Sequence, residues 1–294
     1  MFEAGANIME YLQFDNLGKR KRLYRILGET GKCLIVPLDD NLISGVKTEI
    51  DDLGKKLDQI LSARPNAILS YQGTLKSIGD YSMPTILNLT SSTINSCHTN
   101  KVLTSSVKNA IKLGADAIAV HVNLSSKYES SMLEILGRIS EESDRYGIPL
   151  MAIIYPRGEI ISTDGKIIDQ NYTETKEKNL NEYADLVSHC VKVAFELGAD
   201  IIKTQYTGTS SSFKKVVQSA SGKPVLIAGG GKIEVANLFK MVEGAMIAGA
   251  SGVSIGRNVF GRIDSDKIIL GLKKMIFENM PYKEALNYYN NLEV

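Results

Sequence analysis

The sequence predicts an α/β protein, a (β/α)8 TIM barrel in which residues 1–294 form a single domain, with the barrel core at about 30–275 and a short helical extension before it. Three observations lead to this fold. The chain has 294 residues, and a barrel needs roughly 250. Eight short apolar runs alternate with longer amphipathic segments. The junction between helix and strand also repeats, as expected when one βα unit is copied.

The eight apolar runs are interpreted as the parallel strands of the barrel. Each run is nearly continuous in hydrophobicity and rich in β-branched residues, which is typical of strands covered by helices on both faces. The runs are CLIVPL (33–38), AILSY (67–71), TILNLT (85–90), AIAVHV (117–122), PLMAIIY (149–155), DIIKTQ (200–205), PVLIAG (224–229) and GVSIG (252–256).

Helices are predicted between the runs, where apolar residues recur at i, i+3 and i+4. Each of these segments ends in a glycine suited to a left-handed cap. The clearest examples are residues 107–114, 131–147, 186–198 and 235–249.

The repeated junction favours the barrel over two other arrangements. LGADAIAVHV (113–122) is nearly repeated as LGADIIKTQY (197–206), and AGASGVSIGR (248–257) is a third copy. An open doubly wound sheet is expected to carry a GxGxxG fingerprint after its first strand, and two domains would be joined by a linker rich in Pro, Gly or Ser. Neither pattern occurs in the sequence, so the barrel is the preferred fold.

Composition narrows the range of partners. Lys plus Arg number 34 and Asp plus Glu 33, a net charge of +1, so no long-range field favours nucleic acid or an anionic membrane. Three cysteines, Cys33, Cys97 and Cys190, form no CxxC pair and are interpreted as reduced thiols. The N-terminal residues do not resemble a signal peptide, and no run approaches 18 apolar residues. A cytoplasmic protein that neither spans a membrane nor binds nucleic acid is expected.

One lysine is anomalous in this pattern, because Lys203 lies within the apolar sixth run. A buried ammonium group costs several kcal/mol unless it is paired or loses its proton. A structural lysine that pairs with a carboxylate is the alternative interpretation. In a dry barrel mouth, a second cation such as Arg157 or Lys232 would lower the pKa further. The neutral amine could then attack a carbonyl and form a Schiff base without a metal or another cofactor.

Two further residues at strand ends are candidates for moving protons in such chemistry. Asp39 follows the first run, and Tyr155 ends the fifth. A carboxylate can orient the amine or accept a proton from a substrate hydroxyl, and a phenol can donate and recover a proton. The alternatives are a helix N-cap for Asp39 or Asp40 and a packing role at the rim for Tyr155.

A phosphate site is predicted at the last two strand ends. Gly229, Gly230 and Gly231 follow the seventh run, and Gly256 with Arg257 ends the eighth. Many barrels bind phosphate at these turns through backbone N–H groups, and an arginine adds a charge-assisted contact. A merely flexible turn is the alternative for the triple glycine.

Other chemistries find less support. The three histidines, His98, His121 and His189, form no HxxxH or similar ligand set, so no metal site is predicted. His121 is expected to be a hydrogen-bonded wall residue of the barrel mouth. No GxSxG elbow supports hydrolysis. The polar segment 158–179 follows the fifth run and is expected to be a loop that can cover the site.

The motifs VPLDDN, AIAVHVN, MAIIYPRG, DIIKTQYTG, VLIAGGGK and GVSIGRNVF occur in this order at the predicted strand ends. Together they resemble the DeoC/FbaB aldolase superfamily over residues 16–285. The resemblance is to its branch of archaeal-type class I fructose-bisphosphate aldolases and 2-amino-3,7-dideoxy-D-threo-hept-6-ulosonate synthases. It implies Lys203 as the Schiff-base lysine, Tyr155 as the acid/base phenol and Asp39 as its carboxylate partner. It also implies the phosphate site at the glycine turns and a homo-oligomer, a pentamer or decamer.

One departure from the family concerns the substrate. Asp40-Asn41 stands where the family usually has His-Gly, which favours a different aldehyde partner. The absence of Trp favours the amino-sugar branch over plain fructose-bisphosphate cleavage. In that branch a phosphorylated ketose donor is joined to aspartate semialdehyde, and a related aldolase uses dihydroxyacetone phosphate with the same aldehyde toward an aminohydroxybenzoate. Arg157 or Asp40 is expected to contact the amino acid end of that acceptor. Acyl transfer on the same lysine and a non-catalytic sugar-phosphate sensor are further alternatives.

Overall fold

A computed structural model describes residues 16–45, 53–78, 82–161, 167–170 and 172–292. The strands are β1 (Cys33–Pro37), β2 (Ala67–Ser70), β3 (Thr85–Asn88), β4 (Thr90–Ser91), β5 (Val102–Leu103), β6 (Ala117–Leu124), β7 (Leu150–Pro156), β8 (Gly158–Ile161), β9 (Ile167–Gln170), β10 (Ile201–Gln205), β11 (Val225–Ala228) and β12 (Gly252–Ser254). The helices are α1 (Leu17–Leu27), α2 (Asn41–Ser44), α3 (Leu53–Ser62), α4 (Gln72–Leu75), α5 (Val107–Lys112), α6 (Glu129–Tyr146), α7 (Thr173–Lys178), α8 (Leu180–Glu196), α9 (Ser210–Ser219), α10 (Val235–Ile247), α11 (Ser265–Glu278) and α12 (Tyr282–Asn291).

Eight parallel strands close into a barrel in the order β1-β12-β11-β10-β7-β6-β3-β2. All eight are the runs identified in the sequence, so the predicted (β/α)8 barrel is confirmed. β4 pairs with β5, and β8 pairs with β9, as two small antiparallel ribbons beside the barrel. The ribbons were not predicted, because each is short and lies in a polar segment. Within the described ranges, no helix is both long and apolar enough to cross a bilayer.

The predicted helices form with small differences at their ends. The largest difference is in α8, which begins at Leu180 rather than at residue 186. Its N-cap, Asn179, accepts a hydrogen bond from the backbone N–H of Glu182 at 3.2 Å, so a polar first turn is added before the apolar periodicity starts.

The LGAD junctions have a common structural role at the N-terminal end of the barrel. In both copies the glycine takes a left-handed φ, 73° and 83°, which ends the preceding helix. The aspartate then accepts a hydrogen bond from the neighbouring strand. Asp116 Oδ2 binds the N–H of Thr85 at 3.0 Å, and Asp200 Oδ2 binds the N–H of Leu150 at 2.8 Å. The repeat therefore satisfies the first N–H group of an adjacent strand.

Helix α1 is the predicted helical extension, and it packs against the inside of the barrel. Leu23, Ile26 and Leu27 are buried in one cluster with the inward residues of the strands, including Ile35 and Met151. Its hydrophobic face therefore closes the end of the barrel opposite the predicted site.

Basic residues of α1 contact the junction aspartates. Arg25 pairs with Asp116 at 2.7 Å. Lys19, which is buried, pairs with Asp200 at 2.8 Å and with Asp144 at 2.5 Å. These ion pairs fix the position of the helix on the barrel end.

Candidate active site

A cavity of about 360 Å³ opens at the C-terminal ends of the barrel strands. Ten of the eleven candidate residues named from the sequence line it, and Gly231 does not. The strand ends therefore bring together side chains from β1, β6, β7, β10, β11 and β12. His98, Lys176 and Ser254 also line the cavity, although the sequence predicted no role for them.

Lys203 lies on β10 with its side chain inside the barrel mouth, and the residue is 8% exposed. It forms no ion pair with any carboxylate in the part of the chain that the structure describes. Burial lowers its pKa, and the nearby charge of Arg257 lowers it further, while Asp39 acts in the opposite direction. The sequence suggested Arg157 or Lys232 as the second cation. The cation whose charge lowers this pKa is instead Arg257.

Asp39 lies directly after β1, half-buried on the cavity wall, and its charge and that of Lys203 act on each other. Its Oδ2 accepts a hydrogen bond from Asn88 Nδ2 at 2.8 Å. Burial raises the pKa of Asp39, while the charge of Lys203 and the bond from Asn88 oppose that rise. Burial thus favours the neutral forms of both the amine and the acid, an arrangement in which a proton can pass between them. Asn88, an inward residue at the end of β3, was not singled out in the sequence.

Asp40 lies next to Asp39 at the start of α2. It occupies the N-cap position of that helix, but its side chain makes no capping hydrogen bond. Its Oδ1 lies 3.8 Å from Nε of Arg257. The N-cap interpretation therefore does not account for Asp40, which instead faces the cavity beside an arginine.

Tyr155 is the penultimate residue of β7 and is almost completely buried. The ring of His121 meets it edge-on, with centroids 5.1 Å apart, and Cζ of Arg157 lies 5.7 Å from its ring centroid. Burial raises the pKa of the Tyr155 phenol, so the hydroxyl stays protonated and can donate. Burial and the neighbouring cations hold the pKa of His121 well below its usual range, so this imidazole is neutral.

The two glycine turns approach the cavity through bare backbone. A Cβ atom at Gly229 would lie 2.7 Å from Cγ2 of Ile255, and one at Gly256 would lie 3.0 Å from the carbonyl oxygen of Pro37. Gly230 has a left-handed φ of 65°. A side chain at these positions would clash or be strained, so glycine is required for the main chain to line the cavity here.

Asn258 connects the two turns and was missed in the sequence. It is fully buried, and its Nδ2 donates to the carbonyl oxygens of Gly229 at 3.0 Å and Gly231 at 2.7 Å. Its Oδ1 accepts from the N–H of Ile233 at 2.9 Å. Gly231 thus contributes to the shape of the turn from outside the cavity wall. The signal in the sequence was Asn258 itself, which follows Gly256 and Arg257 in the motif GVSIGRNVF, because a buried asparagine needs hydrogen-bond partners.

Ser254, on β12, was also missed. Its hydroxyl is buried and has no hydrogen-bond partner among the described residues, although it lines the cavity. A buried hydroxyl without a partner costs about 1–3 kcal/mol. The group is therefore available to a bound substrate.

The segment 158–179 contributes to the cavity through α7. Lys176 lines the cavity, and its Nζ donates to the carbonyl oxygen of Tyr206 at 3.1 Å and lies 5.5 Å from the ring centroid of Tyr183. Burial lowers the pKa of Lys176. The sequence predicts one loop over this segment, whereas its described part contains β8, β9 and α7, so no role was predicted for Lys176. Residues 162–166 and 171 lie outside the described residues.

The closed barrel and its polar cavity define a (β/α)8 enzyme architecture with the site at the C-terminal face. The model of the DeoC/LacD family aldolases matches residues 33–262. The chain belongs to the DeoC/LacD aldolase family. The predicted resemblance to this superfamily is thus confirmed.

Relatives within the family support the same class of enzyme. The chain is 35% identical, over 96% of its length and 99% of the relative, to 2-amino-3,7-dideoxy-D-threo-hept-6-ulosonate synthase 1 of Archaeoglobus fulgidus. It is 33% identical, over 78% of its length and 79% of the relative, to 2-amino-4,5-dihydroxy-6-oxo-7-(phosphonooxy)heptanoate synthase of Streptomyces griseus.

A solved archaeal fructose-1,6-bisphosphate aldolase has its catalytic lysine covalently bound to the carbinolamine intermediate of the substrate. It matches 87% of this chain and 98% of its own with a TM-score of 0.74 and 28% identity. The prediction of a class I aldolase is confirmed at the level of the enzyme class.

Proposed function

We propose that Lys203 forms a Schiff base with a phosphorylated ketose, and that the donor generated there is joined to aspartate semialdehyde. The observation that carries the proposal is the state of Lys203. Its amine is buried in the cavity, has no paired carboxylate among the described residues, and has a lowered pKa. These are the conditions under which a lysine attacks a carbonyl at neutral pH.

The neighbouring groups supply the proton transfers that this chemistry needs. The Lys203 amine adds to the ketose carbonyl, and the neutral Asp39 acid gives its proton to the hydroxyl of the carbinolamine, so that water leaves and an iminium ion forms beside the Asp39 carboxylate. The iminium takes up the electron pair when a bond at the adjacent carbon breaks, which leaves an enamine. Asp39 accepts the proton released in that step, and the Tyr155 phenol donates a proton to the alkoxide formed when the enamine attacks the aldehyde. Hydrolysis then returns the free amine.

The two ends of the substrate have distinct partners in the cavity. The donor phosphate binds at the turns of Gly229, Gly230 and Gly256, where Arg257 adds a charged contact. Support comes from the exposed backbone of these turns and from Asn258, which holds their shape.

The acceptor carboxylate is assigned to Arg157 and Lys176, and the acceptor amine to Asp40. The two cations lie on the cavity wall, on segments that follow β7 in the chain. The similarity to two synthases whose product names both include a 2-amino acid supports this acceptor. Breaking the bond between C4 and C5 of the Streptomyces product gives dihydroxyacetone phosphate, which carries the 6-oxo group, and aspartate semialdehyde, so that ketose phosphate is the first donor to test.

Fructose-bisphosphate cleavage is the second candidate. The structural similarity to an archaeal fructose-1,6-bisphosphate aldolase favours it, and Arg157 with Lys176 would then hold the second phosphate. The two functions share Lys203 and differ in the acceptor.

Borohydride trapping tests the shared step. The protein is incubated with dihydroxyacetone phosphate, reduced, digested and mapped by mass spectrometry. The donor mass is expected on Lys203 and not on Lys176, the other lysine on the cavity wall among the described residues. Absence of an adduct with any ketose phosphate would contradict the proposal and favour a sugar-phosphate sensor.

A comparison of acceptors then separates the two candidates. Once trapping has shown that the donor binds covalently to Lys203, the kcat/KM values for aspartate semialdehyde and glyceraldehyde 3-phosphate as acceptors are compared. A preference for aspartate semialdehyde is expected. A preference for glyceraldehyde 3-phosphate would instead assign the protein to fructose-bisphosphate chemistry.

A further inference from the structure

A buried lysine outside the proposed mechanism lies behind the cavity wall. Lys101 is 1% exposed and does not line the cavity. Its Nζ donates to Ser92 Oγ at 2.5 Å and lies 3.0 Å from Nδ1 of His98. His98 does line the cavity, so the lysine contacts the rear of a wall residue.

This contact fixes the protonation state of His98. An ammonium group has only N–H donors, so the ring nitrogen facing it must be an acceptor. Nδ1 of His98 therefore carries a lone pair, and the proton of the neutral ring lies on Nε2. A second proton at Nδ1 would place two donors against each other. In agreement, burial and the charge of Lys101 lower the pKa of His98 to about 3.

The main chain around His98 is fixed as well. Asn123 on β6 donates from Nδ2 to the carbonyl oxygens of Thr99 at 2.9 Å and His98 at 3.4 Å. Thr99 also hydrogen-bonds Glu159 on β8, and Glu159 accepts from the N–H of Lys127 at 2.9 Å. The loop between β4 and β5 is thus hydrogen-bonded to β6 and β8. These bonds hold the backbone of His98 in place and so limit the movement of its imidazole.

This loop lies across the barrel mouth from one of the two proposed phosphate turns. β3, which leads into the loop, lies opposite β11 in the barrel, with three strands between them in either direction. The glycine turn after β11 is the proposed phosphate site of the donor. No partner for Nε2 of His98 is present among the described residues.

We infer that Lys101 is a positioning residue that holds His98 as its Nε2–H tautomer, and that this N–H donates a hydrogen bond to an oxygen atom of the aldehyde acceptor. The assignment of the acceptor rests on the proposed function, whereas the tautomer does not. His98 thereby contributes to the choice of acceptor without changing charge during the reaction.

Imidazole nitrogen NMR tests the tautomer directly. The described chain contains His98, His121 and the exposed His189, and His189→Gln assigns the third signal. His98 is expected to show a protonated Nε2 and an unprotonated Nδ1. In Lys101→Met, a population with protonated Nδ1 should appear at His98. His121 should not change, because its Nε2 contacts Asn123 Oδ1 at 3.1 Å.

Kinetics test the contact with the acceptor through two substitutions at His98. Gln places an N–H donor near the position of Nε2, whereas Leu removes it. In His98→Leu, the KM for aspartate semialdehyde should rise roughly tenfold, the value of one neutral hydrogen bond. In His98→Gln it should stay within about twofold. Borohydride trapping of dihydroxyacetone phosphate on Lys203 should be unchanged in both variants.

The outcomes separate this inference from the proposed function. A protonated Nδ1 in the wild-type protein, or an unchanged acceptor KM in His98→Leu, would overturn the inference while trapping on Lys203 still stands. If borohydride traps no donor on Lys203 of the wild-type protein, the proposed function is overturned. The NMR spectrum then still decides which tautomer His98 adopts. If Lys101→Met does not fold, the wild-type spectrum and the two His98 variants still decide.

Discussion

Two lysines are buried at opposite ends of this barrel, and their surroundings differ. At the N-terminal end, Lys19 lies 2.8 Å from Asp200 and 2.5 Å from Asp144. At the C-terminal end, Lys203 has Asp39 nearby but no ion pair with a described carboxylate, and Arg257 opposes its charge. Burial by itself therefore does not make a lysine reactive. The arrangement of the neighbouring charges decides whether the amine supports the fold or is available for chemistry.

The largest effect is expected for Lys203→Met. Removing the nucleophile should lower kcat for aldol formation by a factor on the order of 10⁴ or more. The free energy of unfolding should change less than in a matched variant at Lys19, because Lys203 has no ion pair to lose among the residues that the structure describes. Activity assays and denaturant unfolding measure the two effects. Retained activity would show that another amine performs the chemistry.

The second largest effect is expected for Lys19→Met, which should lower stability and leave activity unchanged. Breaking a buried pair leaves Asp200 with only the more distant Lys223, 4.0 Å away, as a cationic partner, so the free energy of unfolding should fall by about 3 kcal/mol, the lower end for a broken buried pair. The kcat of the folded fraction should stay unchanged, because Lys19 lies at the other end of the barrel. Adding Asp200→Asn should recover part of the loss by removing the buried charge. A stable Lys19→Met protein would show that the pair contributes little.

The third largest effect is expected on binding of the donor phosphate at the C-terminal end of the barrel. In Asn258→Ala, the glycine turn loses three hydrogen bonds, and the KM for dihydroxyacetone phosphate should rise by roughly tenfold or more. Unphosphorylated dihydroxyacetone is the control, and its KM should change little. Equal changes for both donors would mean that Asn258 supports the whole site rather than the phosphate turn.

The smallest effect is a shift in the pH profile of trapping. The amine reacts only when it is deprotonated, so trapping falls as pH drops below the lowered pKa of Lys203. Arg257 lowers this pKa and Asp39 raises it. Arg257→Gln should therefore move the profile to higher pH, and Asp39→Asn to lower pH. Dihydroxyacetone is the donor for this experiment, since Arg257 is also assigned to the phosphate. Shifts in the same direction would contradict the charge assignment.

Much of the candidate site could be located from the sequence because barrel chemistry gathers at strand ends. Tyr155 and Gly229 follow apolar runs and lie together on the cavity wall. Lys176 and His98 were assigned no role because they lie in polar segments, where another lysine or histidine is unremarkable. The single-domain assignment and the homo-oligomer stay predictions.

The sequence by itself determined the barrel, since hydrophobic periodicity and glycine caps act between residues close in the chain. It also identified Lys203, because a lysine in an apolar strand is a local anomaly. Only the tertiary structure decided which charges meet. The pairing of Lys19 with Asp200, the approach of Arg257 to Lys203 and the contact of Lys101 with His98 depend on how the loops and helices pack. Electrostatic energies depend on distance in space, which periodicity along the chain does not specify.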